Sequence, residues 1–139
     1  MKRTASAHWT GNLKKSKGDL TTQSGVLQET NYSYKTRFEE DVTGTNPEEL
    51  LGAAHAGCFT MWVASVLAKK GYRPKSLDTE ATVTLKDLTI TQIHLAIRAV
   101  VPKITEEDFI AITEDAKKNC IISKAIAVPI SSKAQLANE

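Results

Sequence analysis

Apolar residues recur along the chain with two different periods, and the changes between them divide it into elements. In residues 32–39, Tyr32, Tyr34, Thr36 and Phe38 alternate with Ser33, Lys35, Arg37 and Glu39. A period of two predicts a half-buried strand, with Lys35, Arg37 and Glu39 on the face opposite the aromatics. Two strands are expected before it: residues 6–10, bounded by Gly11-Asn12, and residues 20–28, preceded by a turn at Gly18-Asp19. Alternation returns in residues 77–86, where Ala81, Val83 and Leu85 oppose Thr82, Thr84 and Lys86. It continues over 89–101 through Ile90, Ile93, Leu95, Ile97 and Ala99, so two strands joined near Asp87 are predicted. Residues 125–130 predict a last strand, and Pro129, which has no N–H to give a ladder, places it at an edge.

Two helices separate these strands. In Thr45-Asn46-Pro47-Glu48-Glu49, Asn46 suits the N-cap, Pro47 the first helical position and Glu49 the capping-box partner. The helix should run to about Lys70, with Lys69 and Lys70 at the negative end of its dipole and Gly71 at the C′ position. About 24 residues make it about 36 Å long. Apolar or small residues cover nearly all sides over 50–68, and a helix without a polar face is buried in its own domain or against a partner. A second helix starts at Thr105, with Glu106, Glu107 and Asp108 in its first turn. Phe109, Ile112 and Ala116 form its apolar stripe, and it ends near Asn119-Cys120. Strands, long helix, strands, helix and strand make an α+β chain.

Composition narrows the class. A chain of 139 residues, 41% hydrophobic and 24% charged, is expected to be one globular domain spanning 1–139. A net charge of +2 is too mild to imply nucleic acid. The cluster Lys14, Lys15 and Lys17 lacks interleaved aromatics and reads as a solvated loop. The segment after Met1-Lys2-Arg3 is not apolar enough for a signal peptide, and the apolar run 53–68 is interrupted by His55, Thr60 and Ser65, which argues against a membrane span. A cytoplasmic setting follows, in which two cysteines are either inert or reactive, not a static disulfide.

Motifs of phosphate-binding loops, dinucleotide folds, zinc proteases, serine hydrolases and dithiol oxidoreductases are absent from the sequence. The chemistry left rests on Cys58, Cys120, three histidines and a few charges at element ends. Cys58 lies mid-helix among Ala54, Ala56, Gly57, Phe59 and Met61. It is either a small buried hydrophobe or a nucleophile that needs a cation from elsewhere, because the helix dipole fades beyond the first turn. Cys120, at a helix C-terminus, would be a poor first nucleophile and a reasonable second one. His55 and Cys58 share a helix face. They could form a Cys–His pair or half a metal site, but the spacing carries no metal signature, and a satisfied or partly exposed His55 is expected. His8 and His94 read as ordinary strand residues. Arg37 is either a solvated arginine or, with Glu48, one half of a bidentate pair that holds the guanidinium in one pose.

The run Gly44-Thr45-Asn46-Pro47-Glu48-Glu49-Leu50-Leu51-Gly52-Ala53-Ala54-His55-Ala56-Gly57-Cys58-Phe59 closely resembles the GTNPEELxxAAHAxCF block of the OsmC/Ohr family of hydroperoxide reductases. Ala7-His8-Trp9-Thr10-Gly11, Ser24-Gly25-Val26-Leu27, Thr36-Arg37-Phe38-Glu39 and Lys118-Asn119-Cys120-Ile121-Ile122-Ser123 extend the likeness over nearly the whole chain. His55 favours the OsmC branch. The resemblance implies antiparallel sheets around a long buried helix in an intertwined homodimer with two interfacial sites. It implies reduction of organic hydroperoxides, and less well of hydrogen peroxide, without metal, flavin or other cofactor. It implies Cys58 as the peroxidatic thiol, Cys120 as the resolving thiol forming a disulfide with it, and Arg37 with Glu48 as activators, the arginine typically coming from the partner chain. An external dithiol, of lipoyl type by the same resemblance, would restore the thiols. One departure is Ile121, where the family often has proline, which suggests a less rigid loop after Cys120. Two other classes stay open: a protein that keeps the fold with idle thiols, and a thiol-based redox sensor, although no recognition helix stands out. The all-round apolar helix predicts that sedimentation at micromolar concentration shows one species of twice 15.2 kDa; a stable monomer would contradict it.

Overall fold

A computed structural model describes residues 1–138. The chain is α+β, and it divides into two compact units, residues 1–50 and the residues from Leu51 on. The first unit is a three-stranded antiparallel sheet of β1 (Ala5–Trp9), β2 (Lys17–Thr22) and β3 (Thr30–Ser33), in that order, followed by a one-turn helix, α1 (Tyr34–Phe38). Gly18 is needed because a Cβ there would lie 2.6 Å from the Trp9 ring, which itself packs edge-on to Tyr32 at 5.6 Å.

Two expectations fail in this unit. The strand expected over 20–28 ends at Thr22, and Gly25 and Glu29 turn the chain with positive φ. The strand expected over 32–39 ends at Ser33. There the Thr36 N–H donates to Ser33 Oγ at 3.2 Å and the Ser33 N–H to Thr36 Oγ1 at 2.8 Å. This reciprocal capping box closes a helical turn in which Tyr34 and Phe38, four apart, pack at 4.9 Å between ring centroids. Arg37 therefore leaves from α1 and not from a strand face.

Helix α2 (Pro47–Lys69) keeps the expected bounds. Asn46 Oδ1 accepts the Glu49 N–H at 2.8 Å, while the Glu49 carboxylate takes the Thr45 hydroxyl at 3.0 Å instead of closing a capping box. At the other end Gly71, with φ +83°, lets the Tyr72 N–H reach the Leu67 carbonyl at 2.9 Å and its own N–H reach Ala68 at 3.1 Å, a Schellman stop. One stripe of α2 is buried: Gly52, His55, Phe59, Val63 and Leu67. Met61 and the small residues Ala53, Ala54 and Gly57 are exposed in the single chain. Contrary to the sequence expectation, the helix is long and apolar enough to cross a membrane, with a mean hydropathy of 1.5 over its most apolar window; the core helix of a globular unit passes the same test, and the buried stripe is core.

The second sheet has the order β4 (Ser76–Lys86), β5 (Thr89–Val100), β6 (Ile130–Leu136). β4 and β5 form the expected hairpin, turning through Asp87 and Leu88 at φ 49° and 60°, as a two-residue type I′ loop requires. β6 pairs parallel with β5, so this sheet is mixed where antiparallel sheets were expected. A parallel return needs a long crossover, supplied by α3 (Glu106–Asn119) and α4 (Ile121–Ala125). The strand expected over 125–130 starts only at Ile130; Pro129 precedes it, its carbonyl accepting the Ile93 N–H at 3.1 Å. Phe59, Val63 and Leu67 of α2 share one buried cluster with Ile93, Leu95, Ile97 and Ala99 of β5 and Phe109, Ile112 and Ala116 of α3. Each large side chain buried there contributes about 1.5–3 kcal/mol.

Leu88 sits in the left-handed region with its side chain 82% exposed, so it loses little by truncation. Leu88→Gly is expected to stabilise the protein by about 1 kcal/mol by removing that backbone strain, read as a raised midpoint in urea unfolding. A lowered midpoint would show that the Leu88 side chain contributes packing.

Candidate active site

The stripe that α2 buries sets the orientation of Cys58. Because Phe59 points fully into the core, Cys58, one residue earlier, sits at its margin and is half-buried. Its Sγ accepts the Ile122 N–H from the first turn of α4 at 3.4 Å. Cys120 is wholly buried. It is at once the C-cap of α3, its N–H reaching the Ala116 carbonyl at 3.0 Å, and the N-cap of α4, its Sγ accepting the Ser123 N–H at 3.4 Å. Two free thiols far apart in sequence are thus brought together, one reachable and one enclosed.

Cys120 also donates its S–H to Ser123 Oγ at 3.0 Å, and that oxygen lies 2.7 Å from His55 Nε2. Burial is the main force raising the Cys120 pKa above the ordinary thiol value; the Ser123 hydroxyl and N–H pull it back in part, and the neighbouring Cys58 sulfur pushes it further up. Burial likewise holds the His55 pKa below its usual value, which keeps the imidazole neutral near pH 7. His55 is wholly buried, and its Nδ1 has no partner among the described residues. The expectation of a satisfied or partly exposed histidine fails on exposure and holds for only one of the two ring nitrogens, Nε2. Its partner is Ser123 on α4, which the sequence reading missed. The available signal was a lone small hydroxyl in the apolar run after Cys120, three residues on, at the spacing a helix N-cap uses.

Arg37 and Glu48 form the anticipated pair within one chain. Arg37 Nε and Nη2 converge on Glu48 Oε1 at 2.9 and 2.7 Å, and Nε also reaches Oε2 at 3.2 Å. The Arg37 side chain stays 41% exposed while Glu48 is 12% exposed, so the carboxylate is held and the guanidinium keeps a free edge. The Arg37 guanidinium also lies 5.2 Å over the Phe38 ring, a second contact that restrains it. His8 lies in β1, and His94 in β5 bonds Ser131 Oγ at 2.6 Å; neither joins the thiols. A groove of about 830 Å³ along Gly57, Thr60, Leu77, Thr79 and Arg98 contains neither cysteine, so its size does not mark the chemistry.

The model of the family described as OsmC-like protein matches residues 39–133, a stretch that includes Glu48, both cysteines, His55 and Ser123. The chain belongs to the OsmC-like protein family. Peroxiredoxin OsmC of Escherichia coli K12 is 42% identical over 134 residues, covering 94% of this chain and 93% of the relative. Among solved structures, an OsmC-like protein of unknown function from Vibrio cholerae superposes with a TM-score of 0.80 at 17% identity, covering 96% of this chain and 99% of that one. The organic hydroperoxide resistance protein OhrB of Bacillus subtilis gives 0.67 at 24% identity over 96% and 98%. At those identities the structures attest the OsmC-like fold.

Ile121, the departure from the proline common in the family, is the first residue of α4. No intrahelical carbonyl is available to an N–H there, and proline is favoured at that position. Cys120 before it has ψ 148°, the extended conformation that a following proline demands, and the Ile121 side chain is 71% exposed. Ile121→Pro should therefore fit without distortion and stabilise the protein by about 0.4–1 kcal/mol through the unfolded chain. Thermal unfolding checks this; a lowered midpoint would show that the Ile121 side chain or N–H has a partner in solution.

Proposed function

We propose that the chain is a thiol peroxidase that reduces organic hydroperoxides to alcohols, and hydrogen peroxide less well, through Cys58 and Cys120. The observation that carries this reading is the pair of free thiols held together by the Ile122 N–H contact, one half-buried and one enclosed. The names of the relatives support it: Peroxiredoxin OsmC in one case and an organic hydroperoxide resistance protein in another.

In the proposed cycle Arg37, fixed by Glu48, supplies the cation that favours the Cys58 thiolate and orients the peroxide oxygens. The thiolate attacks the outer peroxide oxygen and the O–O bond breaks. The departing alkoxide takes a proton and leaves as the alcohol, and Cys58 becomes a sulfenic acid. Cys120 then condenses with it to a disulfide, releasing water, and an external dithiol, of lipoyl type in our reading, restores both thiols. No cofactor is required. We further propose that residues 1–139 act as one OsmC-like domain, since α2 and the family match both run through residue 50, and that the cytoplasmic working form is a homodimer covering the apolar face α2 leaves exposed.

Stopped-flow with limiting cumene hydroperoxide tests the assignment. Cys58→Ser should lose both the first step and turnover. Cys120→Ser should consume about one peroxide per subunit in a burst and then stall as a sulfenic acid that dimedone traps. Arg37→Ala should slow the burst by about tenfold or more, since a charge-assisted contact is worth about 1.5–3 kcal/mol. A burst kept by Cys58→Ser and lost in Cys120→Ser would reverse the roles; indifference to both would leave a fold with idle thiols.

A further inference from the structure

We infer that Ser123 and His55 form a proton relay for Cys120, taking its thiol proton as it attacks the Cys58 sulfenic acid. The inference rests on the peroxidase reading above and adds a positioning pair to it. Ser123 touches the reacting sulfur, and His55 acts through Ser123.

The geometry orders the protons. The Cys120 S–H points to Ser123 Oγ at 3.0 Å. With one lone pair so engaged, the serine hydroxyl is free to donate to His55 Nε2 at 2.7 Å, so the neutral imidazole carries its own hydrogen on Nδ1. The chain thus runs in one direction, from sulfur to oxygen to nitrogen, and it ends on the only basic nitrogen in the run. The Ser123 N–H, already on Cys120 Sγ at 3.4 Å, stays in place to stabilise the negative charge that develops there.

Two observations say that this arrangement is more than packing. His55 is wholly buried with Nδ1 unpartnered among the described residues, an arrangement costing about 1–3 kcal/mol that an apolar side chain would avoid. Cys120 is enclosed and its pKa is raised, chiefly by burial, so little thiolate exists at neutral pH and its attack needs a proton acceptor at hand. Water cannot fill that role at a side chain with no exposed surface.

The step balances. Cys120 Sγ attacks Cys58 Sγ, the S–S bond forms and the S–O bond breaks, its electron pair leaving with the oxygen as hydroxide. The Cys120 sulfur is oxidised and the Cys58 sulfur reduced. The proton shed by Cys120 passes to Ser123 Oγ as the serine proton passes to His55 Nε2. Because burial disfavours the imidazolium, His55 does not retain it, and the proton ends on the hydroxide as water.

The test uses the full-length protein and limiting cumene hydroperoxide, following peroxide loss, dimedone-trappable sulfenic acid and the 58–120 disulfide separately. His55→Gln can still accept a hydrogen bond from Ser123 through its amide oxygen but cannot take the proton; Ser123→Ala breaks the chain; Ser123→Thr keeps the hydroxyl. In His55→Gln and Ser123→Ala, disulfide formation should slow by about a hundredfold or more, sulfenic acid should accumulate and turnover should fall, while the first step keeps its rate. Ser123→Thr should recover most of the lost rate, an outcome that a merely structural role would not give. In the unmodified protein, disulfide formation should be slower in deuterium oxide, a measurement that stands even if a variant fails to fold. Wild-type resolution rates in His55→Gln and Ser123→Ala, a Ser123→Thr as slow as Ser123→Ala, or no solvent isotope effect would each overturn the relay. If the unmodified protein shows neither a burst nor a 58–120 disulfide, the peroxidase reading itself fails and takes the relay with it.

Discussion

The unit from Leu51 on depends on one constraint: α2 must turn Gly52, His55, Phe59, Val63 and Leu67 inward together. That stripe fixes the rotation of the helix about its axis. Phe59, Val63 and Leu67 bring enough apolar area to enforce it, at about 1.5–3 kcal/mol each, and His55 is carried inward with them. The partner it finds is Ser123 at 2.7 Å, which ties α4 to α2. The same rotation leaves Cys58 at the core margin, where the Ile122 N–H meets it. A small turn of α2 would expose the imidazole, release α4 and separate the sulfurs, so the fold and the thiol pair share one mechanical cause.

The two thiols have different surroundings for physical reasons that do not depend on any assigned role. Cys120 closes α3 and opens α4 and is wholly buried there, and that burial raises its pKa against the pull of the Ser123 hydroxyl and N–H. Cys58 lies in a helix whose neighbouring residue, Gly57, has nothing within 4 Å of a would-be Cβ, so space is left beside it. Arg37 is restrained twice, by Glu48 and by the Phe38 ring. An arginine held at both its charge and its plane loses little entropy when it meets a further anion.

Much of the fold was legible because it is local. The Asn46 cap and the Gly71 stop bracket α2, Thr105 opens α3, and strict alternation marks β4 and β5. Each depends on residues within about four positions of one another. The misreadings have local causes as well. Residues 32–39 alternate as a strand does, but the Ser33–Thr36 capping box competes for the same backbone and wins after Ser33. Residues 125–130 are apolar enough for a strand, but a cap at Cys120 begins a helical turn and delays the strand to Ile130. The parallel pairing of β6 was out of reach, because strand direction depends on where α3 returns the chain.

The sequence by itself determined the types of β1, α2, β4, β5 and α3, the apolar character of the long helix, the two cysteines as the only candidate redox pair, and the charge complementarity of Arg37 and Glu48. These follow from residue chemistry and short-range spacing. Only the tertiary structure decided that Cys58 and Cys120 lie together, that His55 is buried with one nitrogen unpartnered, and that Ser123 stands between that imidazole and the enclosed thiol. Sequence separation carries no information about such contacts: residues 55 and 123 meet because α2 and α4 pack together, and the energy that brings them there belongs to the apolar residues around them, not to the polar groups that meet.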